Sequence, residues 1–258
     1  MPLNLLAILE NWFQSGVTCV KWRSAVSDFY KLTCGVRQGG VLSPYLFALY
    51  IDSVIDRARR ADGIGCYIRN ECFSILLYAD DIILLAPSVT ALEQLLHICE
   101  TELDWLDMAI NPKKSACMRI GPQYSAICAN ILSKNGYELK WVNSIRYWGI
   151  YLTSANVFKC IYDNAKSSFY RTFNSIFGKV GRFASEEVVL QLTLSKCLPA
   201  MFYGLEVCPI NKSQIASLEF AVTGALMKVF CTRDKEVVNY CRHMFNFPTA
   251  CAAIYRRK

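Results

Sequence analysis

The stretch that decides the fold is Phe73-Ser-Ile-Leu-Leu-Tyr-Ala-Asp-Asp-Ile-Ile-Leu-Leu-Ala86, an apolar run interrupted by the adjacent aspartates Asp80 and Asp81. The run is too short and too charged to span a bilayer, and its Ile, Leu, Tyr and Phe content predicts two short buried strands. Because successive side chains of a strand point to opposite faces, neighbouring carboxylates converge only at a turn. The pattern therefore predicts a hairpin with Asp80 and Asp81 at or beside its tight turn.

Two carboxylates among apolar side chains need a partner of opposite charge. We expect the flanking strands to draw the pair towards a low-dielectric interior, where an unpaired charge costs on the order of several kcal/mol. A hard divalent cation fits this role, since it binds through one or two carboxylates and completes its shell with phosphate oxygens. The alternative is an Asp-Asp turn with no ligand.

The composition is that of a globular chain. Its 258 residues are 53% hydrophobic and 19% charged, which allows one large domain or two small ones and excludes a mainly disordered chain. The formal charge of +7 is compatible with nucleic acid binding but is also common among other soluble proteins. No stretch predicts a transmembrane span, so no membrane partner is expected, and residues 1–14 predict an amphipathic helix rather than an export signal.

The cysteines point to a reducing compartment. There are thirteen, an odd number, and none falls in a C-x-x-C pair. We interpret them as free thiols that fill the core, which predicts an intracellular protein of the nucleus or cytoplasm.

A glycine-rich loop precedes the second predicted helix. After a predicted hairpin at residues 17–34, the chain reads Gly35-Val-Arg-Gln-Gly-Gly-Val-Leu-Ser-Pro44. Ser43 is predicted to cap a helix that has Pro44 at its first position and continues to Arg60. A glycine-rich backbone at a helix N-terminus favours an anionic ligand, and a plain turn before a capped helix is the alternative.

The Gly35–Pro44 loop, followed by Tyr78-Ala79-Asp80-Asp81, resembles reverse transcriptases, most closely those of LINE-like retrotransposons that lack long terminal repeats. Two further segments resemble that family in the expected order. Ala109-Ile-Asn-Pro-Lys-Lys-Ser115 looks like the segment after the second palm helix, with Lys114 matching its lysine. Ile145-Arg-Tyr-Trp-Gly-Ile150 looks like the primer-grip hairpin, although the family more often has Leu where Trp148 stands.

The resemblance implies an α+β fold in which an antiparallel palm-type sheet packs on helices and an all-helical, thumb-like region follows. Residues 1–153 would be a partial palm, and residues 154–258 the thumb and the region after it. The family's first catalytic aspartate lies upstream of the glycine-rich loop, where this chain has only Glu10 and Asp28 in unsuitable settings. The fingers and the first catalytic motif are thus expected in a missing N-terminal portion of the same polyprotein.

The resemblance also implies roles for individual residues. Asp80 and Asp81 would be catalytic ligands of Mg²⁺, two ions of which act in the complete enzyme. Arg37, Gln38 and Gly39 would bind the incoming nucleotide and template base, and Lys114 would donate a proton to the leaving pyrophosphate or offset its charge. Tyr147, Trp148 and Gly149 would form the primer grip. For Arg37 a solvated loop residue, and for Lys114 a plain surface lysine, are the alternatives.

The implied function is RNA-directed DNA polymerisation, with an RNA template, a DNA primer and deoxynucleotide triphosphates as partners, and with no activity expected of the isolated chain. One alternative is a non-catalytic nucleic-acid-binding remnant of a retrotransposon. Another is a different palm-type nucleotidyl transferase such as a cyclase. In the thumb-like region a basic face is predicted to follow a duplex, with a solvated helix face as the alternative; its members are Lys159, Lys166, Arg171, Lys179 and Arg182.

Overall fold

The protein is represented by a computed structural model that describes residues 2–33, 35, 38–61, 63–181 and 183–257. It divides into two compact units, and its combination of short, mostly antiparallel ladders with helices confirms the α+β class. Unit 1 comprises the chain up to Ile110 together with Leu132–Gly136, and unit 2 comprises Asn111–Ile131 and the chain from Tyr137 onwards. The division into domains at residue 153 stays a prediction.

Unit 1 begins with a helix and two short ladders and then builds a core from two helices and a hairpin. Strand β1 pairs antiparallel with β4, and β2 with β3, as the sequence predicts for this segment. The elements are α1 (Leu3–Gln14), β1 (Val17–Thr18), β2 (Lys21–Trp22), β3 (Ala25–Val26), β4 (Tyr30–Lys31), α2 (Ser43–Arg59), β5 (Tyr67–Ile68), β6 (Glu71–Cys72), β7 (Ile75–Tyr78), β8 (Asp81–Leu84) and α3 (Val89–Trp105).

The core of unit 1 lies where α2 packs against α3 and β7. Val54 and Ala58 of α2 are fully buried there, together with Leu95 and Cys99 of α3 and the first residue of β7, Ile75. The spacing of these residues along α2 and α3 is that of one helical face, which is why each helix covers the hairpin with a single stripe. Polar contacts also join the helices, since the Tyr50 hydroxyl donates to the carbonyl of Leu106 at 2.6 Å.

The ends of the helices differ in part from the sequence prediction. Ser88 caps α3, its hydroxyl accepting from the backbone N–H of Ala91 at 3.1 Å. Ser43 does not occupy the N-cap of α2. Leu42 holds that position in a right-handed helical conformation, so Ser43 is already the first helical residue. The turn before α2 is thus one residue shorter than the capping pattern suggested.

The first thirty residues of unit 1 carry an apolar surface that the described structure leaves open to solvent. None of residues 2–33 is buried. Leu3 is 81% exposed, Trp22 74% and Phe29 72%. Helix α1 is amphipathic, as predicted, yet its apolar side contacts no core.

Unit 2 is a set of small sheets followed by helices. Strand β12 pairs antiparallel with β13, and β13 with β14, while β11 runs parallel to β9. The elements are β9 (Ala116–Cys117), β10 (Ile131–Leu132, across the division of the units), β11 (Glu138–Trp141), β12 (Ser144–Tyr147), β13 (Ile150–Thr153), β14 (Lys159–Ile161), α4 (Asp163–Val180), α5 (Glu186–Leu192), a π-helical turn (Thr193–Cys197), α6 (Leu198–Met201), α7 (Lys212–Val229), α8 (Lys235–Met244) and α9 (Ala250–Tyr255).

The sheet of unit 2 continues further along the chain than the sequence indicated. The region from residue 154 is predicted to be all-helical, but Lys159–Ile161 forms the third strand of the sheet, and α4 begins only at Asp163. Within this strand Cys160 is buried and the preceding Lys159 is exposed, which is the two-residue alternation of a β-strand. Phe169 and Phe173 of α4 then stack within the core of unit 2, with their ring centroids 6.1 Å apart.

Two general features concern the whole of the described chain. Its cysteines are all free thiols, many of them buried in the cores. Among the described helices, none combines the length and the apolar character that crossing a bilayer would require.

Candidate active site

The aspartate pair occupies the tip of a regular hairpin, as the sequence predicted. Strands β7 and β8 are antiparallel, with Leu77 opposite Ile82 and Tyr78 opposite Asp81. Ala79 and Asp80 form the two-residue turn between them. Ala79 has a φ of +50°, and the positive φ at the first central position alone is the pattern of a type II′ turn. Asp80 is thus the second turn residue and Asp81 the first residue of β8, so both lie at the same end of the hairpin.

The predicted burial of this pair is wrong, because both Asp80 and Asp81 are exposed. Of the hairpin strands only Ile75 is buried, whereas Leu76 is 43% and Tyr78 62% exposed. The helices α2 and α3 cover the hairpin at its open end, and the turn extends beyond that core. The aspartates are thus hydrated, and neither makes an ion pair with a residue that the structure describes.

The donor set at the turn is chemically suited to a hard cation but is small. Adjacent carboxylates supply the oxygen ligands that Mg²⁺ takes from proteins, where one or two carboxylates suffice if phosphate oxygens complete the shell. No group of three or more His, Cys, Asp or Glu residues able to hold a metal occurs within the described ranges. A site for two metals would therefore need a further carboxylate in addition to Asp80 and Asp81.

The glycine-rich loop leads directly into α2, the helix on which β7 rests. Gln38 and Gly39 are both exposed in a turn, and Gly39 has a φ of +77° with no atom within 4 Å of the position of a Cβ. Because α2 contacts β7, the loop and the aspartate hairpin are attached to the same core in unit 1. Arg37, the third residue predicted for nucleotide binding, lies outside the described residues.

Lys114 lies in unit 2, in a turn that Asn111 organises. The Asn111 carbonyl accepts from the backbone N–H of Lys114 at 3.1 Å, and its side chain accepts from that of Lys113 at 3.1 Å. Lys114 is exposed and lines a pocket of about 360 Å³ together with Lys113 and Lys140. Glu138 lines the same pocket, so the three lysines are accompanied by one carboxylate. The specific role of Lys114 stays a prediction.

Lys140 was missed by the sequence analysis. It joins the two other lysines because β11 runs parallel to β9, with Lys140 opposite Ala116. Parallel pairing joins distant segments, and no local pattern in the sequence specifies it.

The segment predicted to be the primer grip is a second tight hairpin, also in unit 2. Tyr147 pairs with Ile150, and the two turn residues Trp148 and Gly149 have φ values of +46° and +81°, as a type I′ turn requires. The rings of Tyr147 and Trp148 stack with centroids 4.7 Å apart and planes at 20°. The hairpin itself is confirmed, and its contact with a primer stays a prediction.

Comparison with known proteins decides the family. The family described as "Reverse transcriptase (RNA-dependent DNA polymerase)" matches residues 3–152, more than half of the chain. The chain belongs to the reverse transcriptase family. The matched span contains the turns of both hairpins, the glycine-rich loop and the turn of Lys114. Reverse transcriptases use divalent metal ions, which agrees with the donor type of Asp80 and Asp81.

The relatives of this reverse transcriptase chain confirm the resemblance to retrotransposons that lack long terminal repeats. A retrovirus-related Pol polyprotein from the type-2 retrotransposable element R2DM of Drosophila melanogaster is 26% identical over 62% of the chain. A Pol polyprotein from a type-1 retrotransposable element R2 of Popillia japonica is 33% identical over 33% of it. The matched stretches span only 16% and 12% of these relatives.

Proposed function

We propose that the chain is part of an RNA-directed DNA polymerase. The observation that carries the proposal is the exposed Asp80–Asp81 turn, which a short hairpin holds on the same core as the Gln38–Gly39 loop. In the proposed reaction the 3′-hydroxyl of a DNA primer attacks the α-phosphate of a deoxynucleotide triphosphate. A phosphodiester bond forms, the bond to the β-phosphate breaks, and pyrophosphate leaves.

Each candidate residue has a part in this proposal. Asp80 and Asp81 would hold Mg²⁺, which supplies charge neutralisation at the phosphates and lowers the pKa of the attacking hydroxyl. Gln38 and Gly39 would position the nucleotide against the RNA template, and Arg37 would offset phosphate charge. Lys114 would give a proton to the departing pyrophosphate, with Lys113 and Lys140 increasing the positive potential of the same pocket.

We further propose that the open apolar surface of residues 2–33 packs against a polymerase segment that carries an additional catalytic carboxylate. Large side chains such as Leu3, Trp22 and Phe29 are exposed to a degree that a folded surface seldom maintains without a partner. The matched stretches span only 16% and 12% of these relatives, so both relatives contain sequence beyond the part matched here. We also propose that the chain acts inside the cell, in the nucleus or the cytoplasm.

A primer-extension assay tests the proposed function. The chain is assayed alone and as a fusion that is preceded by the part of the Drosophila relative lying upstream of its matched stretch. We expect the fusion to extend a DNA primer on an RNA template only when Mg²⁺ is present, and the chain alone to extend nothing. Extension by the chain alone would contradict the need for an additional carboxylate. Failure of a folded fusion that binds primer and template would favour the non-catalytic remnant instead.

A further inference from the structure

A buried thiol and an accessible thiol lie close together in unit 2. Cys117 is the second residue of β9 and is 6% exposed. Cys128 is half-buried in the segment that follows this strand. Both residues belong to unit 2, so the fold of that unit alone brings them together, and neither has a part in the proposed polymerase reaction.

Two hydrogen bonds hold the Cys128 segment next to Cys117. Arg119, two residues beyond Cys117 in the chain, donates from Nη1 to Sγ of Cys128 at 3.2 Å. Trp141 lies opposite Cys117 in the parallel ladder of β9 and β11, and its indole N–H donates to the carbonyl of Ala129 at 2.9 Å. One neighbour of Cys117 along the chain and one across the ladder therefore both bind the segment that carries Cys128.

Cys128 has the surroundings of a reactive cysteine. Besides accepting from Arg119, its sulfur donates to the carbonyl of Ala126 at 3.6 Å. The guanidinium is held in place because Nη2 donates to the side-chain oxygen of Gln123 at 3.1 Å, and Arg119 makes no ion pair with a described residue. A cation beside a partly exposed sulfur is the setting in which protein thiols react with oxidants.

Cys117 has the opposite character. Burial above all, and then the proximity of Cys128, raise the pKa of the Cys117 thiol to about 11. This thiol is therefore protonated at neutral pH and shielded from a dissolved oxidant, so it should not react first. A thiol beside an oxidised cysteine can still resolve it by forming a disulfide.

We infer that Cys128 and Cys117 form a reversible redox site, in which hydrogen peroxide oxidises Cys128 and Cys117 then closes a disulfide. In the first step an S–O bond forms on Cys128, the O–O bond of the peroxide breaks, and the thiol proton leaves with the second oxygen as water. In the second step the S–S bond forms and the S–O bond breaks. The hydroxyl group leaves as water with the proton of Cys117.

The electrons and the reverse reaction also balance. The two thiols together lose two electrons, and one peroxide molecule is reduced to two molecules of water. Two equivalents of a small thiol return the disulfide to the two cysteines by thiol–disulfide exchange. The inference does not rest on the proposed polymerase function.

The backbone between the two sulfurs can adjust to form the bond. Residues 118–130, all of which the structure describes, contain turns but neither helix nor strand. Cys128 can therefore approach β9 without breaking a strand pairing. The disulfide would enclose residues 118–127 in a ring anchored on β9.

Peptide mapping of the full chain tests the inference. The reduced chain is treated with hydrogen peroxide, its remaining thiols are alkylated, and trypsin cleaves between the two thiols, after Arg119. Cys117 is then in the peptide 115–119 and Cys128 in the peptide 120–134, each with a single cysteine. We expect these two peptides to become linked at least about tenfold faster than any other pair, and to separate again after dithiothreitol.

Serine variants show which sulfur reacts first. In Cys117→Ser a sulfenic acid at Cys128 should accumulate and be trapped by dimedone, because no thiol resolves it. In Cys128→Ser we expect no dimedone adduct at Cys117. The control is Cys231→Ser, which removes an exposed thiol of the same unit and should leave the rate of linkage within about twofold of the wild-type rate.

Two substitutions of Arg119 test the role of the cation. Arg119→Gln should slow the linkage about tenfold, whereas Arg119→Lys keeps the charge and should retain most of the rate. Chymotrypsin, which cleaves after Tyr124, replaces trypsin in this comparison. The control is Arg171→Gln, at an exposed arginine of the basic face predicted from the sequence, and it should match the wild type. Arg182, another arginine of that predicted face, lies outside the described residues.

Three results would overturn the inference. They are oxidation of Cys128 without linkage to Cys117, linkage of other cysteine pairs at the same rate, and a folded Arg119→Gln chain that links at the wild-type rate. If Cys117→Ser fails to fold, the wild-type peptide map and the Arg119 variants still decide. Primer extension by the fusion is measured separately, and its failure would remove only the catalytic proposal.

Discussion

Tyr78 and Asp81 are paired residues that face each other across the turn formed by Ala79 and Asp80. The turn is made possible by Ala79, which adopts a left-handed φ of +50° although it has a side chain. An L-residue in this conformation is destabilised by about 1–2 kcal/mol, which the pairing of β7 with β8 must offset. The backbone at Ala79 therefore fixes how the two carboxylates are presented.

Substitutions at Ala79 test this turn. Ala79→Gly should raise the free energy of unfolding by about 0.5–1 kcal/mol, because the relief of the left-handed conformation exceeds the extra freedom of glycine in the unfolded chain. Ala79→Val should lower it by about 1 kcal/mol or more. Urea denaturation followed by circular dichroism measures both. Ala86→Gly, at a position without a positive φ, is the control and should be destabilising; a destabilised Ala79→Gly would mean that the turn has another conformation.

A close approach behind the hairpin gives a second prediction. A Cβ on Gly65 would lie 2.6 Å from the Cβ of Ser74, a fully buried residue whose hydroxyl donates to the carbonyl of Ala58 at 3.3 Å. Gly65→Ala should therefore cost about 2–3 kcal/mol by forcing the start of β7 away from α2.

The matched control for this substitution is Gly16→Ala, whose added Cβ would meet no atom closer than 3.5 Å. We expect it to change the free energy of unfolding by less than about 0.5 kcal/mol. Equal effects of the two substitutions in urea denaturation would contradict the packing of β7 on α2.

The buried thiol of Cys99 predicts a pH dependence of stability. Burial above all, and the neighbouring charge of Glu100, raise the pKa of Cys99 from 9.0 to about 12. The unfolded thiol ionises near its ordinary pKa while the folded one stays protonated, so the stability present below pH 9 is lost as the pH rises towards 12. The loss is at most about 1.4 kcal/mol per pH unit for this one group.

Urea denaturation at pH 8 and pH 10 checks that expectation. The wild-type chain should lose more stability between these pH values than Cys99→Ala, because the variant lacks the linked proton. Cys251→Ala removes an exposed thiol and should lose as much as the wild type. If Cys99→Ala and the wild type show the same decrease, the thiol is accessible to water and the core of unit 1 is looser than described.

Much of the site could be predicted from short patterns, because those patterns have local causes. The apolar run around Asp80 and Asp81 specifies a hairpin through strand alternation, and the order of motifs from Gly35 to Ile150 identified the family. The exposure of the two aspartates could not be predicted, because apolar neighbours in the sequence do not show how far the core formed by α2 and α3 extends along the hairpin. Lys140 joins Lys113 and Lys114 only through the parallel pairing of β11 with β9, which no local pattern encodes.

The catalytic role of Asp80 is tested most directly by RNA-templated primer extension with the fusion of the chain to the upstream part of the Drosophila relative. Asp80→Asn is compared with Asp104→Asn. Asp104 is an exposed aspartate on α3 that makes no ion pair with a described residue. Because Asp80 is exposed, both variants should keep the wild-type circular dichroism and midpoint of denaturation. We expect Asp80→Asn to lower the extension rate by roughly a thousandfold or more, and Asp104→Asn to leave it within about twofold. A folded Asp80→Asn fusion that extends primers at the wild-type rate would contradict the assignment of the hairpin turn as the catalytic metal site.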